Sequence, residues 1–259
     1  MPRPRTHSTA AIVLRQRTIG EADKVLTLYT ANAGKAEVIA RGVRKARSRL
    51  AGYVEPLSHA TFQLAQGRTF DVVTQVEPVE TFAPLRADLD RLARALYAAE
   101  LLDRFTEPRE SHPELYRLLL ETLRRIEQQP DVDLPVRFFE MTLLDVLGYR
   151  PELDECVVCR TPLRPETNFW SAGGGGVICR ACLQPDTVVH PLSANALKLL
   201  RLLLHGRWPE VARVRVEADL AGELERALLE YVRWVLERDV RSAAFVEAVR
   251  RPRIPSRRS

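Results

Sequence analysis

The sequence predicts an α+β chain of more than one domain: a small five-stranded barrel, then a helical domain carrying an inserted four-cysteine module. Three observations carry this prediction. The spacing of apolar residues changes from about two to about 3.6 near residue 82. All four cysteines fall between residues 156 and 182, and the basic residues collect at the two ends of the chain. With 259 residues and 46% hydrophobic content, the chain can bury a sizeable core without disulfides, and its length suggests two domains and a small third module.

The first eighty residues read as strands. Ala10–Arg15 is short and β-prone, and Lys24–Thr30 alternates with period two before the turn Asn32-Ala33-Gly34. Lys35–Ala40 follows, and after an interruption from Arg41 to Pro56 come His59–Leu64, a Gly67-Arg68 turn and Thr69–Val76. Five short strands with one long loop between the third and fourth resemble an OB-like barrel, a fold whose strand face and loops bind single-stranded nucleic acid. An SH3-like barrel shows the same strand count, and strand reading alone does not separate the two.

From Pro84 the pattern is helical. Leu85, Leu89, Leu92, Leu96 and Ala99 share one expected face, and Ser111-His112-Pro113-Glu114 has a capping-box pattern ahead of Leu115–Ile126. Further helices are expected over Pro135–Leu147, Ser193–Leu204, Leu220–Arg238 and Ser242–Arg250. The expected domains are therefore a barrel over 1–81, a helical domain over 82–152 and 188–250, a zinc-binding insertion over 153–187 and a basic tail over 251–259.

The four cysteines stand as two CxxC pairs, Cys156 with Cys159 and Cys179 with Cys182. A CxxC turn aims both thiolates at one point, and two such knuckles complete the tetrahedral set that Zn²⁺ accepts. A disulfide pair, a redox CxxC and four buried thiols are the rival readings. A metal with four protein ligands has no open position, so the zinc is expected to be structural. The run Gly173–Gly176 lacks the ending of a phosphate-binding loop and reads as a turn between ribbon strands.

Residues 1–81 hold twelve Lys/Arg against seven Asp/Glu, residues 82–249 hold 22 against 27, and residues 250–259 add five arginines. Within the first segment, Arg41, Arg44, Lys45, Arg47 and Arg49 place five cations in nine residues with no acid. Such a run repels itself until phosphate neutralises it. Lys35, on the preceding strand, extends the patch, and Gly42 and Gly52 let the loop approach a backbone closely. Tyr29, Tyr53, Phe62 and Phe70 are candidate stacking platforms for bases, with core packing the first reading of each and Tyr53, beside the loop, the best exception. No run of about eighteen apolar residues occurs, so no membrane span is expected, and the chain reads as cytoplasmic and nucleoid-associated.

The five histidines are scattered and form no catalytic pattern. Asp71, Glu77 and Glu80 are the one acidic group resembling a nuclease cluster, although Glu77 and Glu80 fall on opposite faces of a strand. The chain is read as a non-enzyme. The alternatives are a metal-dependent DNA nuclease and a zinc-braced protein interaction module.

Several segments together resemble one family, the RecO recombination mediators of bacteria. They are Ala11–Leu14, Gly20–Lys24, Tyr29-Thr30 with Gly34-Lys35, and above all Ala40–Leu50. Leu147–Leu153 leading into Cys156 adds to the likeness, and Arg241–Phe245 loosely matches the closing helix. The resemblance implies a protein of recombinational DNA repair that binds single- and double-stranded DNA and anneals complementary strands. It also implies loading of recombinase onto strands coated by single-strand-binding protein. The implied partners are RecR, the C-terminal tail of single-strand-binding protein and, indirectly, RecF. Lys35, Arg41, Arg44, Lys45, Arg47 and Arg49 fall where the family's DNA-binding cations lie. An apolar groove for the acidic tail is expected on the helix bearing Leu224, Leu228, Tyr231 and Val235.

Overall fold

The computed structural model describes residues 6–46, 48, 50–186 and 188–236. These form two compact units, one ending at Gln129 and one beginning at Pro130. Arg47, Arg49, the tail and the expected helix Ser242–Arg250 lie outside the described residues.

In the first unit β1 (Thr6–Ile19), β2 (Asp23–Thr30), β3 (Gly34–Ala40), β4 (His59–Ala65) and β5 (Asp71–Glu80) close into a barrel in the order β1-β2-β3-β5-β4. β1 is longer than its apolar stretch because it serves two neighbours. Thr6–Ile12 pair with β4 and Ala11–Ile19 pair with β2, and a register shift between Val13 and Arg15 lets the strand bend from one to the other. Alternation then sends Leu26, Leu28, Val38, Phe62, Leu64 and Val73 into a continuous core. The strand expected from Thr69 starts at Asp71 instead. The carboxylate of Asp71 accepts the Gly67 N–H at 3.2 Å. A Cβ on Gly67 would lie 1.9 Å from the Phe70 carbonyl oxygen, so this tight turn requires glycine and leaves Phe70 in the β4–β5 loop.

The helices α1 (Ala83–Ala87), α2 (Leu89–Phe105) and α3 (Pro113–Gln128) belong to the same unit as the barrel, whereas the sequence grouped them with the later helices by element type. The expected single face from Leu85 to Ala99 is broken at Asp88, whose side chain caps α2 by accepting the N–H groups of Asp90 and Arg91. Leu89 is consequently exposed, and α2 buries Ala95, Ala98, Ala99, Leu101 and Leu102. The expected capping box of α3 does not form either. Ser111 donates its hydroxyl to the Asn32 carbonyl at 2.6 Å, and Glu114 pairs with His112.

A polar clamp joins α3 to the barrel. His59 Nε2 lies 2.7 Å from the Tyr116 hydroxyl and Nδ1 lies 3.3 Å from Glu80, while Arg124 holds the same carboxylate. Burial pulls the His59 imidazole below its ordinary value, and the Arg124 hydrogen bond holds Glu80 below the usual carboxylate range.

The second unit contains α4 (Asp133–Val146), β6 (Asn168–Ser171), β7 (Gly176–Ile178), β8 (His190–Leu192), α5 (Ala194–His205), α6 (Trp208–Val211) and α7 (Ala218–Leu236). The strands form a small sheet ordered β7-β6-β8, and Gly173–Gly175 sit in the β6–β7 turn. Trp170 of this sheet is buried edge-on against Tyr231 of α7, at 5.5 Å between ring centroids. The α7 stripe Leu224, Leu228 and Tyr231 is itself buried, and α7 packs on α4 and α5, so that stripe is core and not an open groove. Among the described residues no helix is long and apolar enough to cross a membrane.

Candidate nucleic-acid interface and four-cysteine centre

The cation-rich segment leaves the barrel at the end of β3. Gly42 takes a positive φ of 65° and gives its N–H to the Asp23 carboxylate at 2.7 Å, which fixes the root of the loop to the β1–β2 turn. Val43 plugs into the barrel core. Arg44 then binds the same turn twice, its N–H to the Ala22 carbonyl at 3.0 Å and its guanidinium to the Glu21 carbonyl at 2.9 Å. Arg41, Arg44 and Lys45 are all exposed around this anchored root. Because the partners of Arg44 are carbonyls, its charge stays uncompensated among the described residues.

Lys35 is placed differently. Its ammonium donates to the Asp103 carbonyl at 2.6 Å and pairs with the Asp103 carboxylate at 3.2 Å, with the side chain only 13% exposed. The structure therefore neutralises Lys35 against α2 and does not bring it into the group formed by Arg41, Arg44 and Lys45. Arg15 is engaged in the same way, by Asp103 at 2.7 Å and Glu37 at 3.6 Å. Of the aromatic residues, Tyr29 and Phe62 are fully buried, whereas Tyr53 stands partly exposed beside the loop. The sequence reading passed over Arg17, which is exposed on β1 with its guanidinium 5.9 Å from the centre of the Phe70 ring.

The four cysteines converge. Their sulfur atoms all lie within 4.8 Å of one another. The first knuckle is closed by Arg160 N–H to the Cys156 carbonyl and Cys156 N–H to the Thr161 carbonyl, both at 2.9 Å, and Arg160 adopts a positive φ of 60°. The second is a tight turn in which Cys182 N–H reaches the Cys179 carbonyl at 3.1 Å. Cys179 also gives its N–H to Cys156 Sγ at 3.3 Å, which couples the knuckles. Four thiolates about 2.3 Å from one ion stand ~3.8 Å apart. Cys159 Sγ and Cys179 Sγ are separated by 3.8 Å, so the arrangement fits a tetrahedral metal.

The electrostatics agree with the geometry. The Thr161 hydroxyl, then the Thr161 N–H, lower the Cys159 thiol to about 6, while hydrogen bonding to Cys159 and Cys179 pushes Cys182 up to about 12. Thiols this close do not all ionise unless a cation stands among them. Among the described residues, no other group of three or more His, Cys, Asp or Glu side chains converges in this way. Asp71 and Glu80 lie at opposite ends of β5, the first tied to Gly67 and the second to Arg124 and His59.

Residues 4–82 match the family model described as Recombination protein O N terminal, and residues 86–244 match Recombination protein O C terminal. The chain belongs to the RecO family. It is 42% identical to the DNA repair protein RecO of Roseiflexus sp. (strain RS-1) over 96% of this chain and 87% of that one. It is also 34% identical to the DNA repair protein RecO of Dehalococcoides mccartyi (strain ATCC BAA-2266 / KCTC 15142 / 195), covering 97% and 99% of the two chains. With the DNA repair protein RecO of Desulforudis audaxviator (strain MP104C) the identity is 38%, over 93% and 96%. The first RecO model ends where α1 begins, and the second spans both α2–α3 and the four-cysteine centre.

Proposed function

We propose that this RecO-family chain is a non-enzymatic mediator of recombinational DNA repair. In this reading it binds single- and double-stranded DNA, anneals complementary strands and helps load recombinase onto strands coated by single-strand-binding protein. Its partners are RecR and the tail of single-strand-binding protein, with RecF reached indirectly. The observation that carries the reading is the group Arg41, Arg44 and Lys45, exposed on a loop whose root is pinned to the barrel. The strand order β1-β2-β3-β5-β4 supports an OB-like barrel, and the repair names of the relatives support the pathway. Arg47 and Arg49 follow Arg41, Arg44 and Lys45 in the sequence and add to the proposed contacts. Lys35 is left out of the phosphate contacts, because Asp103 already holds its charge.

Cys156, Cys159, Cys179 and Cys182 hold one Zn²⁺ in a structural role. When bound, the ion supplies the positive charge that keeps four thiolates together, and four protein ligands leave no coordination position for substrate. Elemental analysis of pure protein is expected to give one zinc per chain, and its absence would remove the assignment.

The DNA reading is tested by salt titration. About five phosphate contacts give a slope near −3.5 for log affinity against log salt on single strands, at ~0.7 per contact. Changing Arg41, Arg44 and Lys45 together to alanine should flatten it by about two units and weaken all sequences alike, since phosphate contacts carry no base information. If deleting 250–259 abolished binding while the triple variant bound normally, the assignment to the barrel loop would be wrong. The mediator role is tested by annealing of complementary strands coated with single-strand-binding protein, where this chain is expected to accelerate pairing. Labelled single strands incubated with Mg²⁺ or Mn²⁺ should stay intact, and cleavage would favour a nuclease.

A further inference from the structure

We infer that Phe70, held in the β4–β5 loop against Arg17, is a base-stacking platform that makes the barrel distinguish single strands from duplex. The inference rests on the nucleic-acid reading above and adds to it a contact of a different kind, to a base instead of a phosphate.

Arg17 pairs with Val25, Val25 with Ile39, and Ile39 with Val72, so these four residues form one row across β1, β2, β3 and β5. Their neighbours Leu26, Val38 and Val73 point into the core, so alternation turns this row away from it, with Val25 covered and Arg17 exposed at its end. The adjacent outer row, Arg15, Thr27 and Glu37, is where Asp103 of α2 docks by pairing with Arg15 and, beyond it, Lys35. One step further out stands Arg17. Among the described residues it meets no carboxylate at ion-pair distance, and its recorded partner is the Phe70 ring.

The ring is presented, not merely tolerated. The glycine-dependent turn at Gly67 and the Asp71 carboxylate fix the loop on both sides of it. Phe70 is half-buried, Arg68 and Thr69 beside it are exposed, and the loop forms one wall of an open cleft of about 1440 Å³. A flat apolar ring lining that cleft, with a guanidinium over it and exposed cations on the loop after β3, fits an unstacked nucleobase whose phosphates follow those cations. A duplex keeps its bases stacked on one another and has none to offer this ring. What the sequence does not show is the contact of Phe70 with Arg17, since the two are 53 positions apart and only the fold brings them together.

The experiment uses the full chain with Phe70→Leu, which keeps apolar bulk and removes the π face, and Phe70→Tyr, which restores it. Binding is measured to a fluorescent oligothymidylate and to a duplex of equal length, across salt. Stacking is worth ~1–3 kcal/mol per base, so Phe70→Leu should weaken single-strand binding by about 5-fold or more. The salt slope and duplex affinity should stay unchanged, and Phe70→Tyr should bind as the wild type does. A 2-aminopurine base in the strand should lose its quenching in Phe70→Leu alone. If Phe70→Leu bound single strands normally, or lost single strand and duplex equally, the stacking platform would be wrong while DNA binding itself stood. If the wild type bound neither at low salt, both readings would fall.

Discussion

The barrel and the four-cysteine centre solve the same problem, closing short segments into a fixed shape, by different means. The barrel closes on a continuous apolar core in which Phe62, Leu26, Leu28 and Leu64 are fully or almost fully buried. The cysteine centre joins strands of three and four residues to two knuckles, and of its four cysteines only Cys156 is buried. Strands so short have too few ladder bonds to hold themselves, whereas the barrel strands run for seven to fourteen residues. The difference teaches that the two units should fail separately: one when apolar contacts are lost, the other when the ion proposed for its sulfurs is removed.

Metal removal is the largest expected effect. Structural zinc in small peptides binds with an apparent ~10–16 kcal/mol at neutral pH, so chelation or Cys156→Ser should release the knuckles. Hydrogen exchange is expected to lose protection over 152–183 while β1–β5 keep theirs. Equal loss in both units would break the comparison. Next in size is Phe62→Ala, which should cost about 3–5 kcal/mol from the barrel core. Its zinc content should remain that of the wild type, as elemental analysis can check.

A smaller effect separates the two kinds of cation within the barrel unit. Lys35→Met removes a charge that Asp103 already compensates, so stability should fall by about 1 kcal/mol or less, because Arg15 remains with the carboxylate. The salt slope for DNA should be unaltered. A flattened slope in Lys35→Met would instead make Lys35 a direct phosphate contact.

The smallest effect concerns acid. His59 is held below its ordinary value by burial and Glu80 by Arg124, so the unfolded chain binds protons that the folded clamp refuses. Both contributions are present above the unfolded values, near pH 6.5 for His59 and 4.5 for Glu80, and are lost as pH falls through and below them. The denaturation midpoint of the barrel unit should therefore drop between pH 7 and 5. His59→Gln should shrink that drop, and an unchanged pH profile would remove His59 from the clamp.

Much of this was legible in the chain itself. Alternating apolar residues marked five strands, because a half-buried strand must repeat with period two. Paired CxxC spacing marked the four-cysteine centre, because the two cysteines of each turn are local to each other. The charge run after Ala40 was legible for the same reason, as its cations are neighbours in sequence. The Asp88 cap that breaks the expected face at Leu89 was also within reach, since capping depends on a side chain two or three residues from the N–H groups it accepts.

Other features required the tertiary structure, because each depends on partners far apart in sequence. Lys35 looked like part of the basic patch until the fold set Asp103, 68 residues away, against it. Ser111 looked like a helix cap until Asn32 offered a carbonyl. The α7 stripe looked like a groove until α4 and α5 covered it. Phe70 read first as a core residue, yet a one-glycine turn left it half-buried in the β4–β5 loop beside Arg17. Sequence alone determined which residues carry charge, sulfur or apolar bulk. Only the fold decided which remain free to act, because a charge or a ring is silenced by whatever long-range neighbour the strand register brings against it.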